Sequence, residues 1–98
     1  MMQQLSIPEF KAWIAAGKEF LLVDIREDFE RELFHIGGLH IPMGELPARV
    51  QELDKNLPVV FYCEKGIRST IAMQRLEPLG YNMYSLTGGM SAWKKMAD

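Results

Sequence analysis

The chain contains a single cysteine, Cys63, which ends an apolar run of β-branched and aromatic residues at 59–62. That run predicts a buried strand, and the residues from Ser69 onward predict a helix. The order strand, loop, helix places the sulfur at the carboxyl end of a strand, where backbone N–H groups and a helix N-terminus favour an anion. The residues therefore predict a nucleophilic thiolate.

The loop after the cysteine combines two cations with a glycine. Lys65 and Arg68 carry positive charge, and Gly66 allows the positive φ that a tight turn around the sulfur requires. In such a turn successive amides point inward and form an anion nest. Ser69 is expected to cap the helix that follows, and Glu64 is expected to point outward. These features favour the ionised thiol, whereas most free cysteines are small buried hydrophobes.

Length and charge restrict the remaining possibilities. The 98 residues predict one domain spanning residues 1–98, most simply a monomer. The net charge of −2 argues against nucleic acid and anionic membranes as partners, because both call for a basic face. No apolar run approaches the roughly 20 residues that span a bilayer, and the first residues lack the pattern of a signal peptide. A cytoplasmic location, which keeps the thiol reduced, is therefore expected.

Cysteine and histidine usage predicts no metal site and no disulfide. The lone thiol has no partner within the chain, and only His35 and His40 could join it as soft ligands. A structural zinc site needs four such ligands.

Strand-like and helix-like segments alternate along the chain, which predicts an α/β domain with a largely parallel sheet. A capping box at 6–9 opens the first helix, with Phe10, Trp13 and Ile14 on one face. Strands are expected at 20–24, 39–41, 59–62 and 82–86. Helices are expected at 6–17, 26–34, 46–53 and 69–79 and after Gly88 and Gly89, whose turn is expected to approach the loop of Cys63.

Four motifs resemble those of rhodanese-type sulfurtransferases in type and in their order along the chain, and the resemblance covers nearly the whole chain. The segment 63–69 is similar to the family's active-site loop, Cys-x-x-Gly-x-Arg followed by Ser or Thr. The other three are Asp-x-Arg at 24–26, His-Ile-x-Gly at 35–38 and Leu-x-Gly-Gly-x-x-x-Trp at 86–93. The family's turn commonly reads His-Ile-Pro-Gly-Ala, and this chain has Gly37 and Leu39 at the proline and alanine positions.

The resemblance implies a three-layer α/β/α fold with a central, mostly parallel five-stranded sheet. It also implies a two-step reaction in which Cys63 takes the sulfane sulfur of a donor such as thiosulfate and passes it to cyanide, a thiol or a dithiol. Neither a metal nor an organic cofactor is required. Asp24, Arg26 and His35 are implied as supporting residues, with a structural ion pair and a hydrogen-bonded turn as the favoured interpretations. The implied substrate-binding residues are Glu64, Lys65, Gly66, Ile67, Arg68 and Ser69.

Three other functions share these residues. Cysteine phosphatases and arsenate reductases also combine a cysteine, an amide nest and an arginine, but with five residues between cysteine and arginine. Here four residues intervene, which predicts a ring matched to a sulfur atom and too tight for a phosphoryl group. A persulfide carrier for a protein acceptor, such as a thioredoxin-like dithiol, needs the same loop as the enzyme. A non-catalytic regulatory domain of this family often lacks the cysteine that this chain keeps.

Overall fold

A five-stranded parallel sheet lies between two layers of helices in the computed structural model, which describes residues 1–96; residues 97 and 98 of the expected domain lie outside it. The strands are β1 (Met2–Leu5), β2 (Leu21–Asp24), β3 (Leu39–His40), β4 (Val59–Tyr62) and β5 (Met83–Leu86). The helices are α1 (Ile7–Ala15), α2 (Asp28–Leu33), α3 (Leu46–Arg49), α4 (Ile67–Leu76) and α5 (Gly89–Met96). Short 3₁₀ turns occupy Met43–Glu45, Val50–Glu52 and Glu77–Leu79.

The strand order is β1-β5-β4-β2-β3, so that β4 lies at the centre of the sheet. Every observed pairing is parallel, with Asp24 opposite Tyr62 and Phe61 opposite Ser85. Parallel pairing brings the carboxyl ends of β2, β4 and β5 to one edge, where α/β proteins bind their ligands. The predicted α/β fold with three layers and five strands is confirmed.

The central strand separates two hydrophobic cores. All four residues of β4 are buried, as expected for a strand covered on both faces. Val59 and Phe61 pack in one core with residues of α3 and α4, whereas Val60 and Tyr62 pack in the other with residues of α1 and α5. This alternation follows the two-residue period of a strand.

The first helix begins as its sequence predicts. The Ser6 hydroxyl accepts a hydrogen bond from the Glu9 N–H at 3.2 Å, and the Glu9 carboxylate accepts one from the Ser6 N–H at 2.9 Å. The spacing placed Ile14 on the apolar face with Phe10 and Trp13; this prediction is wrong, because Ile14 is 52% exposed. Trp13 makes the contact with the sheet through the ring of Tyr84, 4.9 Å away, which leaves Ile14 on the solvent side.

The strand β1 has no counterpart in the sequence prediction. Its residues, Met-Gln-Gln-Leu, lack an apolar or alternating run, and three of the four are exposed. The strand exists because it pairs along its whole length with β5 at the border of the sheet. None of the described helices is long and apolar enough to cross a membrane.

Candidate active site

The Cys63 thiol lies directly after β4, at the carboxyl edge of the sheet. Its Sγ accepts hydrogen bonds from the backbone N–H groups of Gly66 at 3.1 Å and Ser69 at 3.4 Å. Cys63 is only 1% exposed, but it lines an open cavity of about 420 Å³. The other residues that line this cavity are Glu30, Glu64, Lys65, Ile67 and Arg68.

The chain turns around the sulfur at Gly66. With φ at +89°, Gly66 adopts a left-handed conformation and is the N-cap of α4. The prediction that Ser69 caps this helix is therefore wrong, since α4 begins at Ile67 and Ser69 lies in its first turn. The N–H groups of a first helical turn have no partner within the helix. That of Ser69 is thus available to the sulfur.

A pair of buried hydroxyls lies behind the thiol. The Ser69 Oγ is 3.5 Å from Sγ and donates to the Gly66 carbonyl at 3.2 Å. It also bonds the Ser85 hydroxyl from the neighbouring strand β5. When the single proton of the Ser69 hydroxyl points to the Gly66 carbonyl, Ser85 is the donor in that bond and the thiol donates to the remaining lone pair of Ser69. Sequence reasoning missed Ser85, although a lone hydroxyl within an apolar strand beside the central strand is a usable signal.

Ionisation of the thiol requires little rearrangement of this pair. The Ser69 proton can turn from the Gly66 carbonyl to the thiolate, while Ser85 still donates to Ser69 Oγ. The Gly66 carbonyl then keeps two hydrogen bonds from Thr70, one from its hydroxyl at 2.8 Å and one from its N–H at 3.4 Å. No buried group loses its last partner, so the hydroxyl pair can serve both forms of the sulfur.

The amino end of α5 supports the loop from behind. The N–H groups of Met90 and Ser91 donate to the carbonyls of Cys63 at 3.0 Å and Glu64 at 2.9 Å. A Cβ at Gly89 would lie only 2.2 Å from the Cys63 carbonyl oxygen, so only a glycine permits this approach. The expected close contact between the double-glycine turn and the loop is confirmed.

A salt bridge crosses the cavity between α2 and the loop. The two terminal nitrogens of Arg68 bond both carboxylate oxygens of Glu30, at 2.8 and 2.7 Å. Hydrogen bonds from Arg68 outweigh the effect of burial and lower the pKa of Glu30 from its ordinary value of 4.5 to about 2. Sequence reasoning missed Glu30, because it is one of several acids in a charged segment and nothing distinguishes it there.

A second ion pair lies at the end of β2. Arg26 is 1% exposed and donates from Nε and Nη2 to Asp24 at 3.0 and 3.1 Å, as well as to the Phe34 carbonyl. Burial raises the pKa of Asp24, but the hydrogen bonds from Arg26 outweigh it and hold that pKa below its usual value. Asp24 and Arg26 thus form the structural pair that the sequence favoured.

The glutamate next to the cysteine belongs to the same network. Glu64 does not point outward as predicted; its carboxylate accepts from Arg26 at 3.3 Å and from the Ser91 hydroxyl at 3.4 Å. The buried guanidinium attracts this carboxylate because its remaining N–H groups need acceptors. Glu64 therefore anchors the loop to β2 and α5.

The remaining predicted site residues lie in different places. Lys65 and Ile67 are exposed and line the cavity beside the thiol. His35 is exposed, and its Nδ1 accepts from the Gly37 N–H at 2.9 Å, which is the hydrogen-bonded turn that the sequence favoured. It lines a separate polar depression of about 570 Å³ together with Asp28, Arg31, Glu32 and His40. Within residues 1–96 no group of three His, Cys, Asp or Glu side chains is arranged to hold a metal ion.

Comparison with known proteins agrees with this arrangement. The sequence model of the family described as the rhodanese-like domain matches residues 6–96, and the chain therefore belongs to the rhodanese-like family. It is 35% identical to the putative sulfurtransferase YtwF of Bacillus subtilis, over 95% of this chain and 91% of that protein. It is 33% identical to the thiosulfate sulfurtransferase GlpE of Coxiella burnetii, over 95% of this chain and 90% of that protein.

The fold has close relatives among solved structures. A rhodanese-like domain protein from Staphylococcus aureus superposes with a TM-score of 0.87 at 30% identity, over 95% of this chain and 91% of that chain. The resemblance seen in the four sequence motifs is thus confirmed, and both of the relatives named above carry the name of sulfurtransferase, one of them as putative.

Proposed function

We propose that the protein moves a sulfane sulfur from thiosulfate, or from a related persulfide or polysulfide donor, to a thiophilic acceptor through a persulfide on Cys63. The observation that carries this proposal is the position of Sγ, which faces two amide donors and lines an open cavity. Amides aimed at a sulfur favour its anionic form, and the cavity gives a small donor access to it.

In the first step the Cys63 thiolate attacks the outer sulfur of the donor. A sulfur–sulfur bond forms to Cys63, and the bond between the two donor sulfurs breaks with its electron pair. From thiosulfate the leaving group is sulfite, and the charge of the thiolate ends on the outer sulfur of the persulfide. The amides of Gly66 and Ser69 and the nearby loop amides stabilise that anion, as they do the thiolate.

In the second step an acceptor nucleophile attacks the outer sulfur of the persulfide, and the Cys63 thiolate leaves. Cyanide yields thiocyanate; a thiol yields a new persulfide, which the second thiol of a dithiol can release as sulfide. The division of one transfer into two displacements is covalent catalysis. The proposal includes a single domain at residues 1–98 that acts as a monomer in the cytoplasm, with a small-molecule donor.

The loop residues have distinct parts in this reaction. Lys65, exposed at the cavity, attracts the anionic donor. Gly66 and Ser69 present the amides. Arg68 acts together with Glu30, to which it is bound.

The test is the intact mass of the protein after treatment with thiosulfate or a hydropersulfide. Since the chain has one cysteine, an added sulfur atom that a thiol reagent removes must be on Cys63. We expect the mass of one sulfur to be added to the wild type and then lost on addition of cyanide, with release of thiocyanate. The matched control, Cys63→Ser, keeps the size of the side chain and should gain no mass. Absence of the added sulfur with every donor, or its presence in the control, would refute the proposal.

The same sample separates a turnover enzyme from a persulfide carrier. An enzyme releases many equivalents of thiocyanate or small persulfide per protein when donor and acceptor are in excess. A carrier accumulates the Cys63 persulfide and discharges it slowly to small acceptors but rapidly to a dithiol protein such as a thioredoxin. We expect turnover with cyanide.

A further inference from the structure

The charges around the cavity of Cys63 cancel. Its lining includes two acids, Glu30 and Glu64, and two cations, Lys65 and Arg68. Both acids are already paired, Glu30 with Arg68 in the lining and Glu64 with a buried arginine behind it. Within the described part of the chain Lys65 makes no ion pair, so it is the lining cation that an incoming anion can bind without displacing a carboxylate.

The Glu30–Arg68 contact occupies one of the edges through which the guanidinium can bind an oxyanion. Both terminal nitrogens of Arg68 bond the two oxygens of one carboxylate, which is the bidentate geometry that a sulfonate would also adopt. Glu30 is further held by the Glu27 N–H at 2.9 Å, as part of the first turn of α2. A sulfonate that binds these two nitrogens must therefore displace a carboxylate that its own helix holds in place.

A doubly charged donor has a second disadvantage. The Glu30 carboxylate lines the same cavity as the sulfur, where it repels each negative charge that enters and offsets the attraction of Arg68 for that charge. The repulsion acts twice on a dianion and once on a monoanion, whereas an uncharged donor experiences none.

We propose that Glu30 limits the charge of the donor, so that the site takes sulfane-sulfur compounds with one negative charge or none in preference to dianionic thiosulfate. The favoured classes are thiosulfonates and hydropersulfides. Glu30 is a specificity residue that acts through Arg68 and through its own charge. This inference rests on the proposed sulfur transfer and names its donor class.

Thiosulfate and methanethiosulfonate are a matched pair of donors for this test. They present the same outer sulfur, but a methyl group in the second replaces one charged oxygen of the first. Attack by the Cys63 thiolate gives the same persulfide from both, with sulfite leaving in one reaction and methanesulfinate in the other. The intrinsic reactivities of the two donors differ, but this difference is the same for every variant of the protein. A change in the ratio of their kcat/KM values between variants therefore reports on donor charge.

The experiment compares both donors in the wild type, in Glu30→Gln and in Glu32→Gln. Glutamine at 30 keeps an oxygen for the Glu27 N–H and removes the charge, and Glu32→Gln removes the same charge from an exposed position of α2. We expect Glu30→Gln to raise kcat/KM about tenfold for thiosulfate and about threefold for methanethiosulfonate, mainly through KM. Glu32→Gln should leave the ratio of the two donors unchanged. An equal ratio in the wild type and Glu30→Gln would overturn the proposal.

A second measurement needs no variant and no sulfur transfer. Sulfate and methanesulfonate have the shapes of the two donors without a sulfane sulfur, and each can protect Cys63 of the wild type from alkylation by iodoacetamide. We expect sulfate to protect no better than methanesulfonate at equal ionic strength. Clearly stronger protection by sulfate would overturn the charge preference. The intact mass of the protein after treatment with donors tests the proposed function separately. If no donor adds a sulfur to Cys63, the proposed function fails, and not only the charge preference.

Discussion

Replacing Gly89 by alanine tests whether the approach of α5 holds the loop of Cys63 in place. Gly89 has φ at +55° and touches the loop backbone, with a hypothetical Cβ 2.2 Å from the Cys63 carbonyl oxygen and 2.8 Å from the Glu64 carbonyl carbon. Both neighbours are main-chain atoms, which cannot rotate away as a flexible side chain can. The helix or the loop must therefore move by about 1 Å before a normal contact is reached.

The expected loss of stability has two parts. A left-handed conformation costs an alanine about 1 kcal/mol. A shift of about 1 Å also breaks or lengthens the hydrogen bonds from Met90 and Ser91 to the loop carbonyls, each of which contributes about 1 kcal/mol. Gly89→Ala should therefore lower the free energy of unfolding by about 3 kcal/mol in total, a large share of the roughly 5–15 kcal/mol of a typical domain.

Gly80→Ala is the matched control. Gly80 also has positive φ, +84°, but a Cβ there meets no atom within 4 Å, so this variant bears only the conformational cost. Thermal unfolding followed by circular dichroism should place the midpoint of Gly89→Ala about 10 °C below that of Gly80→Ala. Persulfide formation should also slow in Gly89→Ala and stay normal in Gly80→Ala. Equal midpoints for the two variants would show that the close approach of α5 does not stabilise the loop.

Two other features give predictions of their own. Ser85→Val should lower the rate of Cys63 alkylation by iodoacetamide about tenfold, which corresponds to the loss of one hydrogen bond. Threonine has the size of valine but keeps the hydroxyl, so Ser85→Thr should react like the wild type. Equal rates for the two variants would show that the Ser85 hydroxyl does not affect the thiol. Because the pKa of Glu30 is lowered to about 2, its ionised form stabilises the fold above about pH 4.5, and this contribution is lost as the pH falls toward 2. The thermal midpoint of the wild type should therefore exceed that of Glu30→Gln at pH 6, and the two midpoints should converge near pH 2. A constant difference across that range would show that the ionised Glu30 carboxylate does not stabilise the fold.

The sequence predicted the elements whose pattern is local. Apolar runs indicated β2, β4 and β5, and the capping box indicated α1, because strand and helix periods and caps are properties of neighbouring residues. The edge strand β1 was missed because its pairing with β5 comes from the opposite end of the chain. The N-cap of α4 was misplaced by three residues, at Ser69 instead of Gly66, since a glycine with positive φ opens the helix earlier than a hydroxyl cap would.

The site was predicted in the same uneven way. The loop of Cys63 is contiguous, so its residue types and spacing were visible, and the structure brings them to one cavity. Glu30 and Ser85 reach the site from α2 and β5. Glu30 is one acid among several in a charged segment and has no local signature, whereas the lone hydroxyl of Ser85 in an apolar strand was a signal that the prediction did not use. Glu64 was expected outside because the buried Arg26 that attracts it is 38 residues away.

The pairing of the first strand with the last has a consequence for how the protein acquires its reactivity. Because β1 joins β5 directly, the sheet is complete only when residues 83–86 have been made and docked. Helix α5 follows them, and its N–H groups then bind the carbonyls of residues 63 and 64. During synthesis from the amino end, Cys63 and the amides of Gly66 and Ser69 are therefore made before the strand and the helix that support their loop. A nascent or truncated chain that lacks residues 83–96 has no α5 to hold the loop, so its amides are free to turn away from the sulfur.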